Sequence, residues 1–155
     1  MSHTISILEA TEADLPAMEA LLVELINTMD NPQGFTTPRL RDNCRFLINR
    51  TNSHLLVAKI GEIVVGLINF SLHQTATAPG MAGLIDELIV SKDYRGQGIG
   101  QKLVSAAINK CRQLGCCELG VITGEVNTKA REFYKRCGFE EGSVFLEMHF
   151  DRESI

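Results

Sequence analysis

The fold of this chain is decided in the stretch Val90-Ser91-Lys92-Asp93-Tyr94-Arg95-Gly96-Gln97-Gly98-Ile99-Gly100-Gln101, where an apolar run ends and a helical pattern begins at about Gly98. Three glycines remove side chains where the chain enters that helix, so a ligand can approach the uncovered backbone N–H groups closely. The first turn of a helix carries unpaired N–H donors and partial positive charge, which suit a phosphate or pyrophosphate. The stretch therefore predicts an anion-binding loop between a strand and a helix.

The spacing of this loop excludes two common phosphate-binding motifs. A Walker A loop ends in Gly-Lys-Ser/Thr, whereas Lys102 here precedes Leu103 and follows a glutamine. The dinucleotide motif Gly-x-Gly-x-x-Gly, begun at Gly96, would need a glycine at position 101. The remaining pattern is Arg/Gln-x-x-Gly-x-Gly/Ala, which Arg95, Gly98 and Gly100 satisfy. A glycine-rich turn without any ligand is the alternative interpretation.

Length and charge indicate one ordinary globular domain over residues 1–155. The chain has 45% hydrophobic residues and a formal net charge of −4, and a domain of this size can bury a substantial core. It has no long basic run, which argues against nucleic acid as the main partner. No apolar stretch approaches the ~20 residues of a membrane span, and the first residues do not resemble a secretory signal. We therefore predict a cytoplasmic protein without a membrane partner.

The cysteines and histidines argue against disulfides and metal. The five cysteines are an odd number without a Cys-x-x-Cys pair, and most occupy apolar patterns, which indicates reduced thiols in the cytosol. A catalytic cysteine is the alternative. The four histidines have no ligand spacing, so we predict no metal.

Hydrophobic periodicity predicts the element order β-α-α-β-β-β-α-β-α-β, which indicates one α/β domain with a mixed sheet. We expect helices capped by Asp14, Thr37 and Asn127, with the glycine-loop helix ending at Gly115. The predicted strands lie near 5–7, 55–60, 63–72, 84–90, 118–123 and 144–150. Loops are expected at 27–36 and 73–82.

A second motif, Asn127-Thr128-Lys129-Ala130-Arg131-Glu132-Phe133-Tyr134-Lys135-Arg136-Cys137-Gly138-Phe139, follows one helix and one strand later. It matches the pattern Asn-x-x-Ala-x-x-x-Tyr-x-x-x-Gly-Phe of the GCN5-related N-acetyltransferases, and the glycine loop resembles the acetyl-CoA loop of the same family. The resemblance is strong over about residues 83–142 and extends to the first 80 residues only in pattern. A plain amphipathic helix is the alternative for this segment.

The resemblance implies a fold and a cosubstrate. The fold is an α/β (α+β) single domain with a mixed, mostly antiparallel sheet of six to seven strands. About four helices flank that sheet, which is splayed between its fourth and fifth strands. The cosubstrate is acetyl-CoA. The implied acetyl-CoA-binding residues are Leu88, Ile89, Val90, Arg95, Gly96, Gln97, Gly98, Ile99, Gly100, Gln101, Asn127 and Tyr134.

The resemblance also implies catalytic residues. An acidic residue at the position of Glu87 often acts as general base, and Tyr134 would share a proton with the departing thiolate. Asp86 competes for the role of base, and strand alternation is expected to send the two carboxylates to opposite faces. A backbone N–H near Leu88 or Ile89 would polarise the thioester carbonyl.

The predicted function is acetyl transfer from acetyl-CoA to a primary amine of a small molecule, by direct attack in a ternary complex. The alternatives are acetylation of a protein N-terminus or lysine, and a non-catalytic module that binds acetyl-CoA. The loops at 27–37 and 73–82 are expected to line the acceptor pocket. The alternating residues from Val144 to Phe150 could contribute to a homodimer interface.

Overall fold

Alternating apolar residues build a five-stranded sheet in order β1-β2-β3-β4-β5. The structure is a computed structural model that describes residues 3–29 and 37–150, with residues 37 and 38 described by their backbone alone. The strands are β1 (Ile5–Glu9), β2 (Ser53–Ile60), β3 (Ile63–His73), β4 (Met81–Val90) and β5 (Cys116–Val121). Neighbours pair antiparallel except β4 and β5, which are parallel.

Four helices accompany the sheet: α1 (Leu15–Asn27), α2 (Thr37–Ile48), α3 (Ile99–Gln113) and α4 (Thr128–Arg136). Asp14 precedes α1 as predicted, but its carboxylate does not cap the helix. It accepts the N–H of Thr11 at 2.9 Å and pairs with the Lys59 ammonium at 2.7 Å. The side chains of the predicted Thr37-Pro38 cap, and residues 30–36 of the first predicted loop, lie outside the described residues.

The two faces of the sheet are covered by different helices. On one face, α1 and α2 pack their apolar residues against β2, β3 and β4 through the cluster Leu15, Met18, Leu21, Cys44, Leu55, Val57, Leu67 and Ile89. On the other face, α3 lies over Gly66, where a Cβ would be 3.1 Å from Leu103 Cδ1. The sheet is therefore buried on both faces, and residues on β3 and β4 sit under α1/α2 or under α3 according to their register.

Contacts divide the chain into two units, one ending at Val121 and the other beginning at Ile122. The first unit holds the sheet with α1, α2 and α3, and the second holds α4. The single domain that the sequence indicates over residues 1–155 stays a prediction. Within the described ranges, no helix combines the length and apolarity that a membrane span requires.

The predicted fold class, a mixed and mostly antiparallel sheet flanked by four helices, is confirmed, but the strand count is lower. The strand predicted over 144–150 is wrong, because residues 139–150 form no regular structure and Val144 and Leu146 are 85% and 87% exposed. A strand needs a neighbouring strand for its backbone hydrogen bonds, and alternation in sequence does not provide one.

Gly66 generates a prediction about how closely α3 approaches the sheet. A Cβ at Gly66 would lie 3.0 Å from Ile89 O and 3.1 Å from Leu103 Cδ1, whereas a Cβ at Gly120 meets nothing closer than 3.9 Å. Gly66→Ala should therefore lower the free energy of unfolding by about 1–3 kcal/mol, as overpacked substitutions do. Gly120→Ala should change it by less than about 0.5 kcal/mol. Urea denaturation measures both, and equal effects would contradict the close packing of α3.

Candidate active site

A β-bulge in β4 sets the direction of the predicted carboxylates. Asn69 is opposite Glu87 and Phe70 is opposite Ile85, so Asp86 is an extra residue with no partner on β3. Asp86 accepts the Ser71 hydroxyl at 2.9 Å, and Glu87 accepts the Asn69 amide at 2.5 Å. Because residues 69 and 71 lie on one face of β3, both carboxylates reach that face. The prediction that they lie on opposite faces is wrong, because the bulge interrupts the alternation.

The face that Glu87 reaches is the one covered by α1 and α2. Glu87 shares its face with Ile89, whose side chain belongs to the cluster beneath those helices. Burial raises the pKa of Glu87 above its ordinary value; the bond from Asn69 opposes this rise, and the charge of Asp86 adds to it. Asp86 itself is exposed. The environment of Glu87 therefore shifts its proton affinity toward neutral pH.

Polar groups on α1 and α2 surround this position. Burial, together with the charges of Glu87 and Glu19, raises the pKa of the Cys44 thiol to about 11. Glu19 of α1 is bonded in bidentate fashion to Arg41 of α2, at 3.0 and 3.3 Å. Cys44 is therefore a neutral buried thiol rather than a nucleophile.

The second half of β4 is paired on one side only. Pairing with β5 ends where Ile85 meets Val121, and within the part of the chain that the structure describes the residues that follow on β4 have partners on β3 alone. Ser91 donates its N–H to Val65 O at 2.8 Å, and backbone groups alternate in direction, so Ile89 also faces β3. Leu88 and Val90 consequently turn their backbone groups to the other side, where pairing with β5 has ended.

The glycine loop leads directly into α3. Gly96 and Gly98 have φ of +77° and +78°, a left-handed conformation that favours glycine. The helix begins at Ile99 without a side-chain cap, and its first backbone bond runs from Lys102 N–H to Gly98 O. The N–H groups of the first helical turn are therefore without partners inside the helix, as an anion-binding loop requires.

Arg95 is held by other parts of the protein. Its Nε donates to Val90 O at 3.0 Å and a terminal nitrogen donates to Glu24 at 3.0 Å. Glu24 also accepts the Lys92 N–H at 2.7 Å. Arg95 thus connects the loop to α1. The role of Glu24 could not be predicted, because a glutamate on an amphipathic helix carries no local signal of a partner about 70 residues later.

The second unit contains the other two predicted residues. Asn127 caps α4 as predicted, since its Oδ1 accepts the Ala130 N–H at 3.2 Å. Tyr134 is buried and packs edge-on against Phe133 and Phe139, with ring centroids 5.1 and 5.5 Å away. Burial raises the pKa of Tyr134 to about 12, with a smaller contribution from Cys137. The phenol is therefore protonated throughout the physiological range.

The predicted site residues are divided between the two units. The first unit brings together Glu87, the backbone of Leu88 and Val90, and the glycine loop on consecutive parts of β4 and α3. Ile89 is not added to these, because its backbone faces β3 and its side chain is buried. Within the described part of the chain, no group of three His, Cys, Asp or Glu side chains is arranged to hold a metal ion.

Comparison with known proteins gives one family. Residues 20–139 match the sequence model of the Acetyltransferase (GNAT) family, a range that includes both sequence motifs. Aminoalkylphosphonate N-acetyltransferase from Salmonella typhimurium is 30% identical over 132 residues, which cover 85% of this chain and 82% of that protein. Glucosamine 6-phosphate N-acetyltransferase from Arabidopsis thaliana is 31% identical over 72 residues, so the match spans only 46% of that protein and 46% of this chain.

Comparison of folds agrees with comparison of sequences. The crystal structure of a transcriptional regulator from Bacillus halodurans C-125 superposes with a TM-score of 0.82 at 27% identity. The match covers 95% of this chain and 100% of that one. The two chains therefore share their fold over almost their whole length.

Gly98→Val should abolish binding at the loop while leaving the protein folded. Gly115→Val is the matched control, because its φ is +77° and neither glycine has an atom within 4 Å of an added Cβ. Both variants should lose about 1–2 kcal/mol of stability through backbone strain. Acetyl-CoA at ~100 times its Kd should raise the Tm of the wild type and of Gly115→Val by about 5–10 °C. A full shift for Gly98→Val would show that the loop does not bind the ligand.

Glu87→Gln should stabilise the protein at neutral pH. Because the pKa of Glu87 is raised in the folded state, its contribution favours folding at low pH and is lost as pH rises through that value. The variant should therefore melt at a higher temperature than the wild type at pH 8. The difference should shrink toward pH 4. Exposed Glu62→Gln is the control, and a difference independent of pH would contradict the buried carboxylate.

Proposed function

Because this chain belongs to the acetyltransferase (GNAT) family, we propose that it transfers an acetyl group from acetyl-CoA to a primary amine of a small molecule. The observation that carries the proposal is the position of Glu87. Its half-buried carboxylate lies immediately before the one-sided part of β4, which leads through Val90 toward the glycine loop. A proton acceptor, free backbone donors and an anion-binding loop therefore follow one another along one stretch of chain.

The glycine loop and β4 would hold acetyl-CoA. The N–H groups at the start of α3, from Ile99 to Gln101, would bind the pyrophosphate, and Gly96 and Gly98 leave room for it. Leu88 and Val90 would offer backbone bonds to the amides of the pantetheine arm. The Leu88 N–H is also the proposed donor to the thioester carbonyl as its oxygen becomes negative. Arg95 would act indirectly, by fixing the loop against Glu24.

Glu87 would remove a proton from the amine. An alkylamine with a pKa of about 10.4 has only about one neutral molecule in 10³ at neutral pH. A raised carboxylate pKa makes Glu87 a stronger base than an exposed glutamate. The neutral nitrogen would then form its bond to the acetyl carbon as the bond from that carbon to sulfur breaks. Both substrates would be bound together, so no bond to the protein forms.

Tyr134 would protonate the thiolate that leaves. Its pKa of about 12 keeps the phenol protonated at neutral pH, so the proton is available. A thiol pKa near 8.5 means that the thiolate is already an acceptable leaving group, and the acid therefore accelerates the reaction without being essential. Asn127, which caps α4, would contact the pantetheine arm.

A small molecule is the proposed acceptor class. The two relatives are named for aminoalkylphosphonate and glucosamine 6-phosphate, and both names describe small molecules that carry an amine. The Salmonella protein supports this class more strongly, since the match covers 82% of its length. Exposed Asp86 beside Glu87 would also attract a cationic amine.

The proposal is tested by measuring CoA release from acetyl-CoA with a panel of acceptors. The panel contains aminoethylphosphonate, glucosamine 6-phosphate, free lysine, a peptide with a free N-terminus and a peptide with an internal lysine. We expect saturable release with a small amine. With that amine, Glu87→Gln should lower kcat/KM by about 10²- to 10⁴-fold, and Tyr134→Phe should lower kcat by about 10- to 1000-fold at pH 7.

The outcomes separate the alternatives. Release with the peptides alone would replace the small-molecule proposal with protein acetylation. Acetyl-CoA binding without transfer to any acceptor would indicate a binding module. Asp86→Asn is the matched control for Glu87→Gln, and a larger loss for Asp86→Asn would move the role of base to Asp86.

A further inference from the structure

Asn69 is a buried polar residue inside a mostly apolar strand. It is 4% exposed, lies directly opposite Glu87 in the register of β3 and β4, and donates its Nδ2 to Glu87 Oε2 at 2.5 Å. Its Oδ1 is buried and has no hydrogen-bond partner among the residues that the structure describes. Buried polar atoms are normally paired, because an unpaired one costs free energy. The orphaned oxygen therefore points to a donor that binds there.

The direction of the amide follows from the charge of its neighbour. An ionised Glu87 only accepts hydrogen bonds, so the nitrogen of Asn69 must face it and the oxygen must face away. Oδ1 and the nitrogen that binds Glu87 are bonded to the same amide carbon, so Oδ1 stays near the Glu87 carboxylate although it points away from it. The pair therefore offers two acceptors to one donor group, namely Asn69 Oδ1 and the Glu87 oxygen that Asn69 does not occupy.

We propose that Asn69 positions the reaction in two ways: it orients the Glu87 carboxylate, and it accepts one N–H of the incoming primary amine. This inference rests on the proposed function. The acceptor arrives as an ammonium with three N–H groups, of which it donates one to Glu87 and one to Asn69. Glu87 takes the proton that it accepts, which leaves a lone pair on the nitrogen, and the bond to Asn69 holds that nitrogen in place for its attack on the acetyl carbon. Asn69 exchanges no proton.

The titratable groups on this face near Glu87 lie on β4, α1 and α2. Asp86 lies beside it on β4 and is bonded to Ser71, and Cys44 of α2 is a neutral buried thiol. Glu19 of α1 is paired with Arg41. Asn69 is thus the side chain that donates a hydrogen bond to Glu87 within the described residues, and its bond holds the pKa of Glu87 lower than burial alone would.

The experiment compares Asn69→Leu with Ser71→Ala, using the panel amine that gives the highest kcat/KM with the wild type. Leucine branches at the same carbon as asparagine and has neither donor nor acceptor. The acid limb of kcat/KM should move to higher pH in Asn69→Leu, because an ionised Glu87 loses its donor. At pH 7, kcat/KM should fall about 10- to 100-fold, the effect of one hydrogen bond to a charged group. At high pH, kcat should recover while KM for the amine stays raised.

Ser71→Ala is the matched control, because Ser71 lies on the same face of β3 and bonds to Asp86 instead. It should keep the pH profile and KM of the wild type. In a Glu87→Gln background, Asn69→Leu should leave the pH profile unchanged, because the titrating group is gone. If Asn69→Leu does not fold, Asn69→Ala provides the same comparison without added bulk.

Two failures are distinguishable. If the wild type acetylates a small amine but Asn69→Leu keeps its acid limb and KM, the role of Asn69 is wrong and the proposed function stands. If the wild type acetylates no amine, the proposed function is wrong and the inference fails with it.

Discussion

The pairing of β3 with β4 across a single extra residue is the constraint on which the candidate site depends. If β4 continued its alternation from Ile85, which shares a face with Phe70, Glu87 would lie under α3 in an apolar layer. The bulge at Asp86 turns Glu87 to the face of α1 and α2, opposite Asn69. One inserted residue therefore decides which helices surround the carboxylate and which groups can tune its proton affinity.

That arrangement places polar groups where an apolar sheet would be more stable. Asn69 is buried and Glu87 is half-buried beside residues such as Leu67 and Ile89, and this burial raises the pKa of the carboxylate. A site selected for stability alone would fill these positions with apolar side chains. A catalytic role, rather than stability, therefore explains the polar pair. This is consistent with the acetyl transfer that we propose for this face of the sheet.

The glycine loop shows a second kind of constraint, which is local. Its left-handed residues, Gly96 and Gly98, are needed by the backbone itself, and the uncovered N–H groups follow from the start of α3. Its attachment is not local, since Glu24 of α1 accepts both the Arg95 side chain and the Lys92 N–H. The loop is thus shaped by its own residues and oriented by a helix distant in sequence.

The sequence by itself determined the features that depend on a few consecutive residues. These are the glycine loop, the Asn127 cap of α4, the helices and the first five strands, because backbone conformation and amphipathic period are local properties. The tertiary structure alone decided the direction of Glu87, its bond to Asn69 and the absence of a strand over 144–150. Each of these depends on which distant segments pair and in which register. The alternation of apolar residues within one segment specifies neither. The one sequence signal for Asn69 was a polar residue within an apolar run, and only its pairing with Glu87 gave that signal a chemical meaning.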